Sequence, residues 1–270
     1  MATTPCVGYD RDVTNQFPGY LQRSRTARRL SQLELAVRAG TTQRHLSFIE
    51  QGRSRPGPGI VARLADAMEL SLRQRNDLLL AAGFAPAFPE SPLDDDALRP
   101  VRSALDTILD GHLPYPAMVV RPHGVLVAAI RAFDVFHEDV DPALLEVPVN
   151  VFRLALHPNG IATRVANLPE WGRHITENLR ARLVRTPDPS LEELLIELEG
   201  YLPPLPTEPD VLGFAVPLEL ESSDGHLRLI TTLTSFATAT DITLAELHLE
   251  AFLPADEATA DVLRKRAERW

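Results

Sequence analysis

Between Leu30 and Gly52 the chain spells two short helices joined by a turn with little freedom to be anything else. Ser31 followed by Glu34 is the pattern of a capping box, in which the serine oxygen takes an orphan N–H and the glutamate reaches back. Leu35 and Ala36 fall on the inward side of the first helix. Ala39 is small enough for close helix packing, and Gly40 suits a left-handed turn. Thr42 is placed to cap the second helix, whose Leu46 and Ile49 lie three apart on one buried face. Gln43, Arg44, Ser47 and Phe48 are left on or near the outer side, and Gly52 stops the helix.

Any helical hairpin can use these caps, so the residue types outside carry the next step. Glutamine and arginine make the paired hydrogen bonds that tell base edges apart, and a helix N-terminus flanked by arginines suits phosphate. The formal net charge of −10 argues against a polyanionic partner until its distribution is read. From Phe17 to Phe84 there are eleven arginines against five acids, a local charge of +6, so the rest of the chain carries −16. That asymmetry predicts a polyanion-binding head on an acidic body.

The chain's 270 residues suffice for one large or two ordinary domains. Residues 1–16 are polar and aperiodic, a flexible arm. Short helical patterns fill 17–84. Residues 85–100 then hold Pro86, Pro89, Pro92 and Pro100 with the acidic run Asp94–Asp96, which reads as a linker. In 101–270, strand patterns at Ala117–Arg121 and Gly124–Ile130 precede helical patterns at Asn150–Leu156, Leu168–Leu183 and Leu191–Leu198. Leu212, Phe214, Val216, Leu218 and Leu220 alternate in period two. Asp224-Gly225 then turns the chain into Leu227, Leu229, Thr231 and Leu233, and Leu247, Leu249, Ala251 and Leu253 repeat the alternation before a last helix. This order predicts an α+β domain with an antiparallel sheet behind an all-α domain.

The order Ser-Gln-x-x-Leu-Ala, a glycine turn and Ile-Glu-x-Gly, set within residues 20–83, resembles the phage-repressor (XRE) helix-turn-helix family. The resemblance implies a five-helix DNA-binding domain that docks on double-stranded DNA, as a homodimer on paired half-sites. It implies that Gln32 binds phosphate, that Thr42, Gln43 and Arg44 meet base edges, and that Ser47 lies in or beside the groove. Arg53 would reach the backbone, and Arg25 and Glu50 would form a structural ion pair. Phe48 departs from the polar residue common in the family and is expected to pack.

The second part is similar to the ligand-binding domain of MmyB-like regulators, which implies a PAS-like fold. The resemblance rests on Asn150-Val-Phe-Arg-Leu-Ala-Leu-His-Pro-Asn-Gly160, Asn167-Leu-Pro-Glu-Trp171 and Glu246-Leu-His-Leu-Glu-Ala-Phe-Leu-Pro-Ala-Asp256. The chain departs from that pattern near His123 and Ile130, where the family carries an aromatic and an asparagine. A sheet face covered by helices leaves either a solid core or a cavity. Phe133, Phe136, Phe152, Leu156, Trp171, Phe214, Leu229 and Phe252 are the candidate lining, each of which core packing would equally explain. So few ionisable groups among them predict an apolar or fatty-acid-like small-molecule effector, with Arg153, Arg164 or Arg180 as candidates for holding a carboxylate head.

Other chemistries are poorly served. Glu246, His248 and Glu250 share one strand face and could suit a metal, but the opposite face is the apolar one, so the trio is expected to face water. His157 before Pro158 reads as a turn or helix-end residue. There is no Gly-rich phosphate loop, His-Glu-x-x-His or Gly-x-Ser-x-Gly, so neither an enzyme nor a cofactor is expected. A domain that only contacts protein, without ligand, is the other alternative. The single Cys6 rules out an internal disulfide, no apolar run approaches membrane-spanning length, and the first 15 residues do not read as a secretory signal. The cytosol is the expected location, with no membrane partner.

Overall fold

The structure is a computed structural model that describes residues 16–204, 216–236 and 238–270. The chain divides into two compact units at Glu90/Ser91, with Thr240–Ile242 belonging to the first. The division falls inside the proline-rich segment 85–100.

The first unit holds five helices: α1 (Phe17–Ala27), α2 (Gln32–Arg38), α3 (Gln43–Glu50), α4 (Pro58–Ala67) and α5 (Leu72–Ala81). Each is short for an isolated helix, so packing of the apolar face must supply most of the stability. Leu21, Leu35, Leu46, Ile49, Val61, Leu64 and Leu78 form that core and are wholly buried. The expected caps at Ser31 and Thr42 form, accepting from the N–H groups of Glu34 and His45, each at 3.1 Å. The Glu34 carboxylate accepts from Arg38 Nη2 at 2.6 Å instead of reaching back. A reciprocal box forms one helix pair later, between Ser71 and Gln74 at the start of α5. Gly40 and Gly52 take left-handed backbone at φ +61° and +70°, which L side chains adopt only at a cost.

The second unit runs α6 (Arg99–Asp110), β1 (Ala117–Arg121), β2 (Val125–Ala129), α7 (Val151–Leu156), α8 (Leu168–Arg185), α9 (Pro189–Tyr201), β3 (Leu218–Ser222), β4 (Gly225–Ser235), α10 (Ile242–Ala245, all but its first residue), β5 (His248–Pro254) and α11 (Glu257–Ala267). Its strands form one antiparallel sheet in the order β2-β1-β5-β4-β3. The last strand by sequence is therefore the middle one in space. The upstream part of the expected third strand, with Leu212 and Phe214, lies outside the described residues. α6 begins at Arg99 with Pro100 in its first turn, where a missing N–H costs no helical bond.

Both faces of this sheet are covered. One carries Met118, Val120, Leu218, Leu220, Leu227, Leu229 and Phe252 against Trp171, Leu179, Leu194 and Leu198 of α8 and α9. The other carries Ala117, Val119, Leu247, Leu249 and Ala251 against Leu105 and Leu109 of α6. The first of these faces is also the one that bears His248 and Glu250, which pair across the ladder with Val120 and Met118. The expectation that His248 and Glu250 face water is thus corrected, while Glu246 lies ahead of the strand. β5 is the middle strand, with buried residues of β1 on one side, and both side chains are half-buried. His157 sits at the C-terminal end of α7, its Nδ1 accepting from the Asn159 N–H at 3.0 Å, a helix-end role as expected.

Candidate nucleic-acid interface and sensory face

The second helix of the hairpin, α3, is positioned by what it buries. Leu46 and Ile49 sink into the core, and Glu50, at the last position, is anchored by Arg25 from α1. The guanidinium is bidentate, Nε to Oε1 at 2.7 Å and Nη2 to Oε2 at 3.0 Å, with side chains only 10% and 3% exposed. A third bond runs from Arg25 Nη1 to the Leu30 carbonyl at 2.7 Å, fixing the loop that enters α2. Arg63 of α4 donates to the Ala39 carbonyl at 3.0 Å, satisfying the C-terminal end of α2. The ion pair expected between Arg25 and Glu50 is therefore present, and it is scaffold.

Against that scaffold, Thr42, Gln43 and Arg44 form the exposed N-terminal end of α3. The Thr42 hydroxyl is committed to the cap, while the Arg44 guanidinium lies over the Phe48 ring, 5.4 Å from its centroid. Phe48 is partly buried and so serves as a platform for Arg44, a cation–π contact. Ser47 Oγ accepts from Gln51 Nε2 at 3.0 Å, and Arg53 is exposed just past the helix. Gln32 stands at the start of α2, its Nε2 donating to Glu50 Oε2 at 2.7 Å. That bond fixes one amide hydrogen and leaves the second available. The structure thus brings all six residues singled out in the sequence onto α2, α3 and the turn after α3. The reading by sequence passed over Arg29 and Arg55, both exposed beside the two helices and in no salt bridge among the described residues. Their position two residues before the α2 cap and three after Gly52 was the available signal.

In the second unit, Phe133, Phe136, Leu156, Trp171, Leu229 and Phe252 all belong to one buried cluster, with Phe152 packed against it. Phe214 lies outside the described residues. The Phe136 ring stands 5.1 Å from Phe133 and 4.8 Å from Phe252, both at steep angles that suit the ring quadrupoles. A Cβ on Gly124, whose φ is +74°, would come to 2.5 Å from the Phe152 ring, so the glycine leaves room for that ring.

The three arginines considered for a carboxylate head are already engaged. Arg153 is bidentate to Glu197 at 2.7 and 2.8 Å, and Arg180 pairs with Glu199. Arg164 donates to Glu138 and to the Glu221 and Val135 carbonyls. The sheet face itself holds the polar groups that sequence reasoning turned toward water. His248 Nδ1 is buried with no hydrogen-bond partner, and burial lowers the ring's pKa, with Arg182 of α8 adding to the effect. Glu250 is partly buried in apolar surroundings that push its carboxyl up to about 7. Among the described residues no group of three or more His, Cys, Asp or Glu could hold a metal, and no helix is long and apolar enough to cross a membrane.

Comparison with known proteins agrees with this division. Residues 16–78 match a helix-turn-helix domain family. An uncharacterized HTH-type transcriptional regulator, y4dL, of Sinorhizobium fredii (strain NBRC 101917 / NGR234) is 39% identical over 59 residues, which are 22% of this chain and 30% of that protein. A solved structure of an RNA-binding light-oxygen-voltage receptor aligns with 96% of this chain and 64% of its own at 14% identity, with a TM-score of 0.28, too low to bear on the fold. Residues 101–265, more than half the chain, match the MmyB-like transcription regulator ligand-binding domain. The chain belongs to the family of MmyB-like transcription regulators and joins a helix-turn-helix domain to that family's ligand-binding domain.

Proposed function

We propose that this regulator binds double-stranded DNA as a homodimer, with the N-terminal end of α3 in the major groove, and that an apolar or amphipathic small molecule in the second unit modulates that binding. The observation that carries the DNA half is the orientation of α3. Its apolar side is wholly buried while Gln43 and Arg44 stand exposed at its N-terminal end. In this reading Gln43 and Arg44 read base edges, Thr42 and Ser47 border the groove, and Gln32 and Arg53 hold phosphates. The ligand half is supported by the family match over 101–265 and by the aromatic cluster around Phe133, Phe136 and Phe252. Coupling between the two is reciprocal, so operator DNA alters ligand affinity by the same factor.

Replacing Arg44 by Ala is expected to cost about 1–3 kcal/mol of operator binding and to relax preference at one base position. Selection from a randomised duplex pool, followed by titration of the selected site, measures both. A loss spread evenly over all sequences would reassign Arg44 to phosphate. If a dimer makes roughly six phosphate contacts, log affinity should fall with log salt at a slope near −5.

A further inference from the structure

α3 carries a phenylalanine that the core does not take up. Its other large apolar residues, Leu46 and Ile49, are wholly buried in the helical unit. Phe48 is only partly buried, and among the described residues it belongs neither to that core nor to the side chains packed against it. One turn earlier on the same face stands Arg44, exposed and making no hydrogen bond or ion pair through its side chain among the described residues. Its guanidinium lies over the Phe48 ring, 5.4 Å from the centroid. The backbone beneath the ring is fixed, because the Phe48 carbonyl accepts from the N–H groups of Arg53 and Ser54 at 2.8 and 3.2 Å.

We propose that Phe48 is a specificity-determining residue of the DNA interface, its ring edge meeting the C5-methyl group of a thymine while its face holds Arg44 in the pose that pairs with a nearby guanine. This rests on the reading that α3 lies in the major groove, and it names two of the bases read there. Arginine pairs bidentately with guanine O6 and N7, and the thymine methyl is an apolar feature of the same groove that a phenylalanine can cover. Four residues of helix advance about 6 Å, against about 3.4 Å per base step, so for a helix lying along the groove the two bases stand within one or two steps of each other. A long arginine side chain loses rotamer freedom when it binds, and one already stacked on a ring has less to lose. Position 48 therefore sets both which pyrimidine is preferred and how sharply Arg44 discriminates.

The test starts from the duplex selected by the full-length protein, in which each thymine is replaced in turn by deoxyuridine, a change that removes only the methyl group. One thymine, within two steps of the guanine whose preference Arg44→Ala relaxes, should lose about fourfold in affinity, the worth of one buried methyl. Phe48→Ala should abolish that sensitivity. Phe48→Leu should keep most of it yet lower the preference for the guanine by about two- to fivefold, because an aliphatic chain covers a methyl but offers no ring face to a cation. Helical ellipticity and affinity for random duplex, neither of which the ring should affect, check that each variant is folded. Equal deoxyuridine losses in wild type and Phe48→Ala, or a guanine preference untouched in Phe48→Leu, overturn the assignment to Phe48 while leaving α3 as the reading helix. Failure to select any sequence removes the groove reading, and this assignment with it.

Discussion

Arg25→Ala lowers the stability of the helix-turn-helix unit by about 3–5 kcal/mol, the usual cost of stripping one partner from a buried ion pair. The reason is what remains. Glu50, with a side chain only 3% exposed, would lose both guanidinium bonds and keep a single neutral donor, Gln32. The Leu30 carbonyl would lose its partner as well. Both tryptophans, Trp171 and Trp270, belong to the second unit, so the two units can be followed separately. Helical ellipticity should show a fraction of the protein melting earlier, while tryptophan emission keeps its midpoint. The paired change Arg25→Met with Glu50→Leu should recover most of the loss, because exchanging a whole buried pair for apolar side chains is often neutral. An unshifted ellipticity midpoint in Arg25→Ala would show the pair to be dispensable.

Glu250→Gln should stabilise the second unit by about 2 kcal/mol near pH 8 and leave it unchanged near pH 4. Burial holds the folded-state carboxyl at about 7 against an ordinary value of 4.5. The folded chain therefore binds this proton more tightly than the unfolded chain does. Stability is greatest while both states are protonated and falls as pH rises from about 4.5 through about 7. Each tenfold change in the acid constant is worth about 1.4 kcal/mol, and partial exposure of the side chain reduces the sum. His248 beside it titrates in the opposite sense, with Arg182 and Glu246 acting on it. The quantity to measure is thus the difference between variant and wild-type melting curves across pH, in which those shared terms largely cancel. A difference that does not change with pH would mean that Glu250 is solvated in the folded chain.

Local pattern made the first unit legible. Caps, turn glycines and the spacing of Leu46 and Ile49 are decided within a few residues of one another, and the structure keeps them. Glu34 shows the limit. Its spacing from Ser31 is right for a capping box, but Arg38 one turn on offers its carboxylate a charged partner. In the second unit the strands were legible and their neighbours were not. Nothing local says that β5 inserts between β1 and β4, yet that placement turns Glu250 and His248 inward. Period two identifies two faces of a strand without saying that both are covered. α6 was passed over because its Val101, Leu105 and Leu109 follow directly on a proline-rich segment, so the boundary signal masked the helical one.

β5 belongs to two cores at once. Glu250 and Phe252 look into the layer of α8 and α9, while Leu249 and Ala251 press on α6, the first helix after the segment that leads from the helix-turn-helix unit in sequence. Interiors packed to crystal density do not absorb a displaced strand by yielding around it. Any displacement of Glu250 would therefore move a shared backbone, and Leu249 and Ala251 on the opposite face would travel with it.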